Sequence, residues 1–134
     1  MRYDAFLQDV RDRLQPGERD MAETAVAATL AALGVALSKE GRADLAPQLP
    51  KELKAHFSAG LENGLDTAEL FLARVAQTMN LDTTAVEPMV GAVMAALRDA
   101  VSEGALRNAL STLPPDYNRI LGLESQGPAR GAMP

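Results

Sequence analysis

Ala22-Glu23-Thr24-Ala25-Val26-Ala27-Ala28-Thr29-Leu30-Ala31-Ala32-Leu33-Gly34-Val35-Ala36-Leu37 is the stretch on which the fold turns. Its large apolar residues stand at 26, 30, 33 and 37, spacings of four, three and four that mark one face of a 3.6-residue helix. The same stripe returns as Val90, Met94, Leu97 and Val101, an offset of 64. Ser38 returns as Ser102 and Leu49-Pro50 as Leu113-Pro114 at that offset, while Phe6, Leu7, Val10 and Leu14 return as Phe71, Leu72, Val75 and Met79 at an offset of 65. The second copy is one residue shorter between Met79 and Asp82, where the first has Gln15-Pro16-Gly17. Self-similarity at a fixed period is the mark of a repeated structural unit. The reading is two tandem copies, 1–64 and 65–123, followed by a flexible tail over 124–134.

Each copy predicts four helices, about eight in all. The first carries the 6/7, 10, 14 stripe or its echo, and the second runs from about Ala22 to Leu37 or Ala85 to Val101. Asp20-x-x-Glu23 and Thr84-x-x-Glu87 have the pattern of capping boxes opening the long helices, and Asp66-x-x-Glu69 gives a related signal before the first helix of copy two. Gly41 and Gly104 fit helix C-terminal stops. Short helices over 42–48 and 105–111 come next, then a last helix opened by Pro50 or Pro114, where a missing N–H is tolerated. Pro88 lies early in the second long helix and predicts a kink or a 3₁₀ start. Residues 58–65 contain two glycines and join the copies.

Composition agrees with helices. Of 134 residues 24 are Ala and 19 Leu, the strongest helix formers, against eight Val and one Ile. Thirteen basic and 18 acidic residues give a net charge of −5, and no Lys/Arg run offers the positive surface that nucleic acid requires. With no cysteine, disulfides, zinc-finger spacings and thiol chemistry are excluded. Met1-Arg2-Tyr3-Asp4 begins no secretory signal. The longest uncharged stretch, Thr24 to Ser38, is shorter than the roughly 17–25 residues of a membrane span. A soluble cytoplasmic chain with no membrane span is expected.

Reaction chemistry is harder to find. Asp20, Glu23, Glu87, Asp66 and Glu69 read as capping residues. Glu-x-x-His pairs, a calcium-loop pattern and a Gly-rich phosphate cradle are missing, so no metal or cofactor is expected. The single histidine, His56, has Ile120 as its counterpart, which places it on or near a buried face as a packing residue. Tyr3 and Tyr117 could offer hydroxyls. Tyr117 replaces Leu53 and reads as a core aromatic with its hydroxyl at the rim. Met79 and Met94 replace Leu14 and Leu30, and Met89 replaces Ala25, the pattern of adaptable core filling. With Tyr117, Met89 and Met94 could alternatively line an apolar ligand pocket between the repeats.

Small residues mark a second face of the long helices: Ala28 and Ala31 recur as Ala92 and Ala95. Small side chains let helix axes approach closely. Either this face is a subunit interface, or the two long helices cross each other within one molecule.

Tyr3-Asp4-x-Phe6-Leu7-x-x-Val10, the long Ala/Leu helix ending near Ser38, and Asp44-Leu45-Ala46-x-Gln48-Leu49-Pro50-x-Glu52-Leu53 with its echo in Ser102 and Leu113-Pro114 together resemble the uncharacterised bacterial domain-of-unknown-function family 2267. The resemblance spans about residues 1–123. It implies an all-helical, two-copy, soluble bacterial protein and brings no catalytic residue, cofactor or substrate. The expected fold is all-α, two four-helix units in one bundle domain. The expected role is a non-enzymatic interaction or scaffold module that binds protein or itself, with a carrier or sensor of a small apolar ligand as the alternative.

Overall fold

The computed structural model describes residues 2–14, 19–57, 67–111, 113, 116 and 117. Among these, seven α-helices and no strand are present: α1 (Tyr3–Leu14), α2 (Arg19–Ala36), α3 (Lys39–Leu45), α4 (Lys51–Phe57), α5 (Ala68–Met79), α6 (Thr83–Ala100) and α7 (Glu103–Leu110). A short 3₁₀ turn, Ala46–Gln48, follows α3. The expected last helix of the second half, from Pro114, lies outside the described residues except for Asp116 and Tyr117. The same holds for the 58–65 connection and the 124–134 tail. Among the described residues no helix is long and apolar enough to cross a membrane.

The apolar stripes face one shared core. Val26, Leu30, Leu33 and Leu37 of the α2 segment are fully buried, as are Val90 and Leu97 of α6, with Met94 1% exposed. Phe6, Leu7 and Val10 of α1 and Phe71, Leu72 and Val75 of α5 close over them. Each large side chain removed from water in this way contributes about 1.5–3 kcal/mol. The two long helices pack against each other, and α2 also meets α1, α4 and α5. α6 meets α1 and α5, while α3 lies against α7.

Helix ends depart from the expected caps. α2 already includes Asp20, and α6 starts at Thr83 with Asp82 at its N-cap, making no side-chain bond. Asp20-x-x-Glu23 and Thr84-x-x-Glu87 are therefore not capping boxes, because Asp20 and Thr84 already lie within the helices they were read as opening. α5 is capped by Thr67, whose hydroxyl accepts from the Leu70 amide at 3.1 Å; Asp66 is outside the described residues. Gly41 and Gly104 end nothing either. They sit in the first turns of α3 and α7, whose caps are Ser38 and Ser102, accepting from the Gly41 and Ala105 amides at 3.1 and 3.3 Å. A residue in the left-handed region does terminate α5, and it is Asn80 (φ 59°). Pro50 directly precedes α4 and accepts from the Lys54 amide at 2.9 Å.

α6 is helical on both sides of Pro88. At its start the Asp82 carbonyl accepts from both the Ala85 and Val86 amides at 3.0 and 3.1 Å, a sharing common at α-helix termini.

Two glycines separate packing from propensity. A Cβ on Gly34 would stand 2.0 Å from the Phe57 carbonyl oxygen, so α4 can cross α2 only where a side chain is missing. A Cβ on Gly91 would meet nothing within 4 Å. Gly34→Ala is expected to lower stability by at least about 2 kcal/mol through overpacking. Gly91→Ala is expected to raise it by about 0.5–1 kcal/mol through helix propensity. Urea midpoints of the two variants should move in opposite directions; a shift of the same sign would contradict this packing.

Thr29 is fully buried on α2, and its hydroxyl has no hydrogen-bond partner among the described residues. The residue 64 positions on is Val93. Because an unpaired buried hydroxyl is costly, Thr29→Val is expected to stabilise by about 1 kcal/mol in the same assay.

Candidate functional site

Among the described residues, two shallow grooves open where a helix of one half meets a long helix of the other. The first lies between α2 and α5, has a volume of about 220 Å³, and is lined by Ala28, Ala31, Ala32, Val35, Arg74, Gln77 and Thr78. The second lies between α1 and α6, is about 300 Å³, and is lined by Arg2, Ala5, Phe6, Asp9, Ala96, Asp99 and Ala100. Both have alanine-rich floors because helices whose neighbours are small can approach closely.

Their polar walls differ. At the α1/α6 groove, Arg13 reaches Asp9 on its own helix at 3.0 Å and Asp99 on α6 at 2.7 Å, so an ion pair spans the two helices. In the α2/α5 groove the corresponding positions hold Arg74, Thr78 and Val35. The Thr78 hydroxyl donates to the Arg74 carbonyl of its own helix at 2.9 Å. Neither Thr78 nor Val35 carries a charge, so the Arg13–Asp99 pair has no equivalent at those two positions.

The candidate residues do not gather in one place. Ala28 is buried and Ala31 half-buried on the floor of the α2/α5 groove. Ala92 is buried and Ala95 half-buried on α6, and neither lines either groove. Met94 and Tyr117 are each 1% exposed, and Met89 is half-buried against the core. These three line neither groove. Tyr117 donates its hydroxyl to the Thr67 carbonyl at 3.1 Å and meets Phe71 edge-on, with ring centroids 5.5 Å apart. Its ring is a core aromatic as expected, but its hydroxyl ends on backbone at the start of α5.

His56 is half-buried on α4, one turn beyond the buried Leu53. Tyr3, half-buried at the start of α1, has its phenol pushed above the ordinary 10.0, first by burial and then by the nearby Glu23 carboxylate. Among the described residues no three His, Cys, Asp or Glu side chains form a group able to hold a metal ion.

Sequence reading missed polar ties between residues far apart in the chain. Gln48 donates to the Ser102 hydroxyl at 2.9 Å and accepts from the Ser102 amide at 2.7 Å, which fixes the turn after α3 to the start of α7. The Ala68 amide donates to Asp116 at 3.2 Å. Gln48 lies inside the Leu45-to-Pro50 segment picked out above, but nothing local could have paired it with a serine 54 positions away.

A search of curated proteins finds no match to this chain. A family model does match, the one described as "Uncharacterized conserved protein (DUF2267)", over residues 3–120, which takes in all seven helices. The chain belongs to the DUF2267 family, whose function is unknown.

Proposed function

We propose that this chain is a non-enzymatic helical interaction module that docks a second copy of itself through the α2/α5 groove. The observation that carries the reading is the groove's composition: a floor of Ala28, Ala31, Ala32 and Val35 beside a wall of Arg74, Gln77 and Thr78. A partner helix can come close to such a floor, while the exposed Gln77 amide offers hydrogen bonds at the rim. A bacterial, cytoplasmic setting belongs to the same proposal.

The proposal includes a duplicated architecture, two copies of one unit folded as a single domain over 1–123. Support comes from the helix lengths, since α1 and α5 have 12 residues each and α2 and α6 have 18 each. Exchanging α1, α2 and α3 for α5, α6 and α7 also carries the packing pairs into one another. The α1–α2 pair becomes α5–α6, α1–α6 becomes α5–α2, and α2–α6 and α3–α7 return to themselves. Because so many pairs cross between the halves, a fragment ending at Asn63 is expected to lack the parent's sharp thermal transition. A monomeric fragment that melts as cooperatively as the whole chain would overturn the single domain.

Ala31 is the half-buried residue of the groove floor and the place to test docking. Sedimentation velocity over a range of concentrations is expected to reveal a reversible dimer. Ala31→Arg is expected to remain monomeric at every concentration with an unchanged far-ultraviolet circular dichroism spectrum. A wild-type chain that stays strictly monomeric, or a variant that dimerises as well as the parent, would refute docking at this groove. No reaction is part of the proposal, and His56 is assigned to packing. A small molecule co-purifying in native mass spectrometry would instead favour the carrier of an apolar ligand.

A further inference from the structure

We draw no further inference here: the strongest candidate, the α6 surface patch of exposed Pro88 and half-buried Gly91 and Ala95 with open space beyond Gly91, is a stripe of small residues, and nothing in the structure shows what covers it.

Discussion

Helix α2 has neighbours on four sides, and much of the architecture follows from satisfying them. α1, α4, α5 and α6 all pack against it, and eleven of its 18 residues are buried. A helix enclosed this fully cannot carry a large side chain at every buried position, because the axes must come within the ~8–10 Å at which packed helices lie. Its composition answers that constraint. Leu30 and Leu33 fill space toward the core, while Ala22, Ala25, Ala28, Ala32 and Ala36 let neighbouring backbones approach. Gly34 goes further and lets the Phe57 carbonyl sit where a Cβ would be. Alanine is abundant in this chain largely because one helix is surrounded, as well as for its helix propensity.

With the long helices fixed, the remaining elements are held mainly at their ends. Ser38 and Ser102 cap α3 and α7. A Cβ on Gly41 would lie 3.2 Å from the Ala109 carbonyl oxygen, which lets α3 lie close to α7. Gln48 then reaches across to bond both the amide and the hydroxyl of Ser102. Each of these polar groups satisfies a helix terminus that would otherwise lack a partner. The arrangement places side-chain hydrogen bonds at helix ends and leaves the interior to apolar contact, with Thr29 as the exception.

How much of this could be read beforehand depends on the range of the signal. Apolar periodicity is local and strong, so the stripes at Phe6 to Leu14, Val26 to Leu37 and Val90 to Val101 identified three helices with their buried faces. Cap signals are also local but degenerate. Ser38 and Ser102 were visible as a repeated pair, yet the residues three positions on are Gly41 and Ala105 rather than Glu, so the box pattern pointed elsewhere. Gly41 looked like a stop because glycine commonly ends helices. Its use here is close approach to a helix some 60 residues away, which no local pattern encodes. The groove is of the same kind. Ala28 and Ala31 were legible as a small face, but their setting against Arg74, Gln77 and Thr78 depends on how α5 docks.

The choice between the two grooves rests on a small difference in charge. Positions 9, 13 and 99 hold Asp, Arg and Asp, and their counterparts 74, 78 and 35 hold Arg, Thr and Val. An exposed ion pair such as Arg13–Asp99 contributes at most about 1 kcal/mol to stability, so its main consequence is geometric. It fixes the carboxylates of Asp9 and Asp99, both of which line the α1/α6 groove. A helix docking at that groove would have to break the pair and strip water from both charges before gaining any contact with Ala96 or Ala100. At the α2/α5 groove the Thr78 hydroxyl is already turned back to its own helix, and Val35 adds apolar surface in place of a carboxylate. Approach there covers the half-buried Ala31 beside the buried Ala28, Ala32 and Val35, and no carboxylate lines that groove. That difference in desolvation is why docking is assigned to the groove lined by Ala28 and Ala31, although the other is the larger of the two.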